Sequence, residues 1–340
     1  MTDKYDKDIE NTFSDLPSDF DFFKTVYRED ILPELIAREG DRREAADRSR
    51  KFTYAGFGIG AAIVLISLIF VRSPVAWIIA AVIAVGLHVF GKQELKAISE
   101  QAKLMIVDAA ANGFGLVYQN KPAAPPAMRE FKTLGLVPDW DRSKYEDLLT
   151  GKRGDTDFEF YEAHLEDKRT ETSNGRTRTK WVTVFKGQCL VLDFHKQFHG
   201  LTKVFRDTGL FNKLVEIGQK FSNRHIEKVG LEDPVFEKAF EVFSNDQVEA
   251  RYLLTPDFMQ RLLDLEAAFD GKKIRCAFSG GKLFICMEGG NLFEPGSMHD
   301  PLDHPDRISD VLHDFVAVFL VIDSVSDRAL NAPHSDNPAT

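Results

Sequence analysis

Cysteine is scarce in this chain: Cys189, Cys276 and Cys286 are the only three among 340 residues. None belongs to a C-x-x-C pair, and each lies in an apolar, strand-like run. That excludes a disulfide framework and a thiolate zinc site, and it assigns the thiols as reduced core residues in a reducing compartment. Cys276 and Cys286 are candidates for neighbours across a hairpin, as small buried side chains. Catalytic signatures are missing as well. There is no G-x-S-x-G elbow, phosphate loop, kinase set, S-x-x-K or H-E-x-x-H motif. Positive charge is also short: the formal net charge is −10. An acidic chain argues against nucleic acid as the partner, since phosphate contacts need clustered Lys and Arg.

What is present is apolar length. Residues 52–71 and 75–90 are two apolar runs joined by Arg72-Ser73-Pro74. The first has 20 residues and no charge, enough to cross a hydrocarbon core of about 30 Å. The second has 16 residues with only His88 titratable, and it crosses by thinning the bilayer or by anchoring Trp77 at the interface. So short a connection makes a transmembrane helical hairpin that enters and leaves on one side. A buried soluble hairpin is the weaker reading, because two adjacent uncharged runs of this length are rare in a soluble core. A signal peptide is excluded by the long charged segment upstream and by the missing small-residue cleavage site. Gly56 and Gly60 have the small-xxx-small spacing that lets helix backbones approach. The same glycines, with Gly58, spell G-x-G-x-G without a phosphate-loop context. Arg38, Arg42, Arg43, Arg48, Arg50 and Lys51 precede the hairpin; Lys92, Lys96 and Lys103 follow it; the turn has Arg72 alone. The positive-inside rule puts both flanks, and hence both termini, in the cytoplasm.

The expected organisation is α+β. Residues 1–17 form a disordered tail, and 18–119 a cytoplasmic helical stalk carrying the two spans. Residues 120–128, with Pro122, Pro125 and Pro126, are a linker. Residues 129–328 make a soluble, mainly antiparallel β domain, and 329–340 a second disordered tail. In the stalk, Phe20, Phe23, Tyr27, Ile31 and Leu35 keep a helical spacing with a kink expected at Pro33. In the domain, strands are expected at 157–165, 181–185, 190–194 and 201–205. Asp233-Pro234 and Thr255-Pro256 each read as a cap with proline at the first helical position. Phe236, Ala239, Phe240 and Phe243 form one helix face, and 250–254 is expected as a strand. Residues 274–278 and 283–287 flank Ser279-Gly280-Gly281-Lys282, a hairpin signal. Residues 307–325 make a C-terminal amphipathic helix. This element order also suits a small barrel capped by its last helix, as in pleckstrin-homology-like folds.

Two blocks of residues carry a resemblance. One is Gly154-Asp155-Thr156 with Phe160-Tyr161-Glu162-Ala163-His164, Arg178-Thr179-Lys180-Trp181 and Phe185-Lys186-Gly187. The other is Leu231-Glu232-Asp233-Pro234-Val235-Phe236-Glu237-Lys238-Ala239-Phe240 with Gln247-Val248-Glu249-Ala250-Arg251-Tyr252-Leu253-Leu254-Thr255-Pro256 and Asn291-Leu292-Phe293-Glu294-Pro295. Together they resemble the DUF3137 family of bacterial membrane proteins, over nearly the whole chain. The resemblance implies an inner-membrane protein with two spans near the N-terminus, and it brings no catalytic residues.

The candidate sites are few. Lys168, Arg169, Arg176, Arg178 and Lys180 bracket the first long turn and are candidates for contact with anionic lipid or a protein partner, beside the plainer reading of a solvated hairpin tip. His299, Asp300, Asp303 and His304 pair imidazole with carboxylate in one loop, a donor set for a divalent metal. Pro301 and Pro305 equally suit a turn with a helix cap. His195 and His199 would share a metal only on a helix, and the pattern there is a strand end and turn. Glu159, Glu162 and Glu166 are strand carboxylates with acid–base potential only if a cleft surrounds them. The leading expectation is a membrane-anchored cytoplasmic binding or scaffold protein of the bacterial inner membrane, without evident catalysis and without cofactor. Its partners would be the lipid bilayer, a protein in the membrane and a second copy of itself. The alternative is a membrane-tethered metal-dependent hydrolase using the 299–304 cluster. A channel subunit assembled through the Gly56/Gly60 face is a third reading.

Overall fold

Long uncharged sequence gives long helix here. The structure, a computed structural model, describes residues 12–71, 74–173, 176–206, 226–268, 274–294, 296, 300–304 and 306–326. Its chain divides into two compact units, Met1–Gly113 with Phe293–Val316, and Phe114–Leu292 with Ala317–Thr340.

In the first unit a 3-10 turn, Ser18–Phe20, leads into α1 (Phe22–Val26), a π-helical turn (Tyr27–Ile31) and α2 (Leu32–Ile66), which a further π turn extends to Val71. Where a kink is expected at Pro33, the chain carries the first π turn. The helix runs through Pro33 without a break, and the missing N–H falls where the hydrogen-bond pattern changes from π to α. Phe13 lies within the expected tail, yet it is buried against Phe23 and Tyr27 with ring centroids 6.3 and 5.7 Å apart. Residues 1–11 and the tail 329–340 lie outside the described residues. α3 (Pro74–Gly113) runs antiparallel to α2. With 35 and 40 residues, these helices are about 50 and 60 Å long, well beyond a hydrocarbon core.

The two helices meet on small residues. A Cβ on Gly56 would stand 3.1 Å from the Ala84 carbonyl oxygen, and one on Gly91 would stand 2.8 Å from Phe52 Cβ. Gly56, Gly60 and Ala80 are buried, while Phe57, Leu65, Ile66, Ile69, Ile78, Val82 and Val85 are exposed. Thr53 Oγ1 lies 3.0 Å from His88 Nδ1, and the Phe52 and Phe90 rings meet edge to face at 5.3 Å. Below the apolar part, Arg48 donates to both carboxylate oxygens of Glu94, at 2.6 and 2.8 Å, and Ala45, Ala46 and Leu95 close the seam.

The second unit is built on one antiparallel sheet in the order β1-β2-β3-β4-β9-β8-β5-β7-β6. The strands are β1 (Val117–Gln119), β2 (Arg142–Arg153), β3 (Thr156–Ser173), β4 (Arg176–Asp193), β5 (Thr202–Arg206), β6 (Glu227–Val229), β7 (Phe240–Ser244), β8 (Arg275–Ser279) and β9 (Lys282–Glu288). The sheet is open rather than closed into a barrel: among the described residues, β1 and β6 end it unpaired on their outer sides. Residues 117–119, expected at the end of the helical stalk, are its first strand. The two strands expected at 181–185 and 190–194 are one, because Gly187 continues the ladder where any Cβ would collide with the Met287 carbonyl. β2 contains a bulge between Glu146 and Leu149, where Asp147 takes a positive φ of 56° and is fully buried. Tyr118 Oη donates to its carboxylate at 2.6 Å.

Three helices interrupt the strands: α5 (Pro234–Ala239), α6 (Gln247–Leu253) and α7 (Pro256–Ala268), after the short α4 (Met128–Thr133) and before the last helix α8 (Asp306–Val325). Asp233 and Asp246 cap α5 and α6, each accepting from two backbone N–H groups. The expected helix face at 236–243 is split, with Phe236 in α5 and Phe240 opening β7. Residues 250–254, expected as a strand, belong mostly to α6. One sheet face packs Tyr161, Leu165, Phe185, Cys189 and Val191 under Met128, Phe131 and Leu136. On the other face Phe194, Phe198, Phe258 and Phe278 form a ring cluster with centroids 5.0–6.3 Å apart.

Candidate functional site

The five basic candidates lie where β3 and β4 outrun the rest of the sheet. β2 leaves β3 at the pair Arg142 and Glu166, and β9 leaves β4 at Gly187 and Glu288. Beyond those points the two strands form a ribbon on their own, with Lys168 opposite Trp181, Arg169 opposite Lys180, Glu171 opposite Arg178 and Ser173 opposite Arg176. Strand alternation sorts them. Arg169, Arg176, Arg178 and Lys180 take register positions on one face, with Asp167 and Glu171. Lys168 falls on the other face, with Trp181 and the threonine pairs Thr170–Thr179 and Thr172–Thr177. The five therefore spread along a two-sided arm. Arg169 Nε pairs with Asp167 at 3.3 Å, and Lys180 with Glu171 at 2.5 Å. Arg142 stacks on Trp181 with its guanidinium 4.1 Å from the ring centre. It also bonds Glu166, whose carboxyl that bond holds below the usual range.

The loop proposed for metal meets a different environment. His299 lies outside the described residues. Asp300 and His304 are exposed, Asp303 is half-buried, and among the described residues no group of three or more His, Cys, Asp or Glu gathers as a metal site. Two arginines serve this loop instead. Arg307 donates from Nε to the Pro301 carbonyl at 2.8 Å and from Nη2 to the Asp300 carbonyl at 2.6 Å. Arg42, buried, feels the charges of Asp300 and Asp303. Glu39 accepts from Arg42 Nε and Nη2 and from Arg43 Nε, each at 2.8 Å, and from the Leu302 N–H at 2.9 Å. Burial would raise the Glu39 carboxyl, but these bonds outweigh it and bring it down to about 2. Fixed guanidinium charge against Asp300 and Asp303 disfavours a second cation there.

The strand carboxylates part company. Glu162 is buried and accepts from the Leu292 N–H. Glu159 opens on a cleft of about 410 Å³, lined by Ala127, Glu130, Val191, Asp193, Lys282 and Phe284 among others. Burial pushes its carboxyl up, against the Ala127 N–H and the charge of Lys282. Neither the cleft nor the ribbon's two faces is visible without strand register. His195 and His199 are exposed in irregular backbone, so the helical spacing that would let both grip one metal is not made. Cys189 pairs in register with Cys286, and Cys276 faces Ile285; all three thiols are buried, and burial pushes each of them up. Sequence reading also passed over Lys203, buried in β5 and lowered by burial to about 8.

The fold and these sites describe an α+β protein with an exposed apolar helical pair and no assembled catalytic constellation among the described residues. Residues 183–326 match the family model DUF3137, a protein of unknown function. That span holds Phe185-Lys186-Gly187 and all of the second resemblance block, and it is less than half of the 340-residue chain. Most of the first block and the hairpin lie outside it. No curated protein matches the chain. Among solved structures it is similar to the mycobacterial trehalose monomycolate transport factor A, TtfA, at 12% identity and a TM-score of 0.32, over 66% of this chain and 97% of that one. A likeness at that level supports no inference about what this chain does.

Proposed function

We propose that this protein is a non-catalytic, membrane-anchored binding protein of the bacterial cytoplasmic membrane, held by a helical hairpin with both flanks in the cytoplasm. The observation that carries the reading is the distribution of apolar side chains on α2 and α3. Both helices have windows long and apolar enough to span a bilayer, with only 17% and 11% of those windows buried. What they bury is small, glycine, alanine and Ser67; what they expose is Ile, Leu, Val and Phe. A soluble helix pair does the reverse, because exposed apolar surface in water costs about 25 cal/mol per Å². The orientation rests on the Lys and Arg excess in both flanks. The domain beyond the hairpin would hold protein or lipid partners, with self-association through the hairpin as one route.

The topology is tested with a reporter fused after Thr340 that is active only in the periplasm. It is expected to stay silent. Strong activity there would overturn the orientation.

A further inference from the structure

We propose that the β3–β4 ribbon is a membrane-contact arm that binds the headgroups of anionic phospholipid. The proposal rests on the anchored reading above. Every described side chain from 168 to 172 and from 177 to 181 is exposed, so the ribbon has two free faces and no core of its own. A two-stranded ribbon is marginal in water alone, and a binding surface stabilises it. Its charges are mostly basic. Asp167 and Glu171 pair with Arg169 and Lys180, which leaves Lys168 and Arg178 without an acidic partner among the described residues. Arg176 adds a further basic position in register opposite Ser173.

The spacing selects the occupant. These positions are strung along seven or so residues of each strand, about 20 Å, and do not converge on one point. That arrangement matches a plane of many headgroups better than a single phosphate group. Trp181 is 41% exposed under the Arg142 guanidinium. Its indole shares a face with Lys168, and an aromatic ring with a polar edge beside Lys168 and Arg142 suits headgroup depth. An anionic leaflet attracts each Lys or Arg near it by about fivefold in partitioning. The hairpin would keep the ribbon at high effective concentration over that leaflet.

The test uses the full chain with Thr177→Cys, an exposed position, carrying an environment-sensitive dye; the three native thiols are buried and stay unlabelled. The protein is reconstituted in phosphatidylcholine vesicles, with or without phosphatidylglycerol, both containing a headgroup-level quencher. Quenching is expected to be several-fold stronger with phosphatidylglycerol and to fall to the neutral-lipid level in high salt. It should fall to the same level in a chain with Lys168→Gln, Arg169→Gln, Arg178→Gln and Lys180→Gln. Lys168→Arg with Lys180→Arg should keep it. Equal quenching in both lipids, or quenching unchanged by the four Gln substitutions, would overturn the proposal. Flotation of the chain with pure phosphatidylcholine vesicles reads the anchor separately. A chain that fails to float contradicts the anchored reading, and its quenching in vesicles with phosphatidylglycerol against those without still decides the ribbon.

Discussion

The hairpin helices and the final helix α8 use the same apolar residues and place them in opposite ways. Along α8, Ile308, Val311, Leu312, Phe315, Phe319 and Ile322 recur at steps of three and four and are all buried, with Asp310 outside. Along 52–69 and 75–90 apolar residues occupy every side of the helix, and most of the large ones are exposed while Gly56, Gly60 and Ala80 are hidden. Apolar content is therefore a poor guide to burial. Period is the better guide: a stripe calls for a protein core, and an all-round apolar surface calls for an apolar solvent.

Substitutions sharpen that contrast. The largest effect is expected at Phe240→Ala. Phe240 is 2% exposed and packs on Phe236 with centroids 4.9 Å apart, so denaturant unfolding of the purified chain should show a loss of about 3–5 kcal/mol. Ile79→Ala in the hairpin, at a half-exposed position, should stay within about 0.5 kcal/mol. Equal losses at the two would erase the distinction between the regions. Next is Glu39→Gln, which removes the carboxylate charge bonded to the buried Arg42 and should cost about 3 kcal/mol. The Glu39 carboxyl is depressed in the folded chain. Its contribution is thus complete above the ordinary carboxylate range and is lost as pH falls toward about 2. Melting temperatures of the native and Glu39→Gln chains should converge over that descent.

Smaller effects of opposite sign are expected within the hairpin. Gly91→Ala forces a methyl against Phe52 and the Ser49 backbone and should destabilise by about 1–3 kcal/mol. Gly58→Ala meets nothing within 4 Å and should stabilise by about 0.5–1 kcal/mol through helix propensity. Thermal unfolding in detergent reads both, and a shared sign would mean that the seam is not where the glycines put it. A loss of similar size is expected at Asp233→Ala, which removes the acceptor for the Val235 and Phe236 N–H groups and should cost about 1 kcal/mol in the same unfolding assay.

Much of this fold is legible in the sequence where local chemistry decides. The uncharged runs, the Asp-Pro and Thr-Pro caps and the Gly280-Gly281 turn each declare an element, and the structure has it there. The turn glycines take φ of 60° and 78°, as a tight hairpin requires. Legibility ends where tertiary pairing decides. Phe240 continues a helical phenylalanine spacing, yet β5 pairs with 240–244, and β6 with 242–244, and they draw this segment into the sheet. Residues 250–254 look like a strand, but the Asp246 cap starts a helix first. For the candidate site, the basic residues of the ribbon are visible as composition. Their division between two faces depends on the register shift between Leu165 and Glu166, which no local pattern announces. The Glu159 cleft likewise exists only because β2, β3, β4 and β9 bring distant residues around it.

The central claim is that residues 52–90 face lipid. Alkaline carbonate extraction of membranes carrying the full chain tests it most directly, beside a chain lacking 52–90. The full chain should remain in the membrane pellet, and the shortened chain should move to the supernatant. Release of the full chain by carbonate, or retention of the shortened one, would contradict the account.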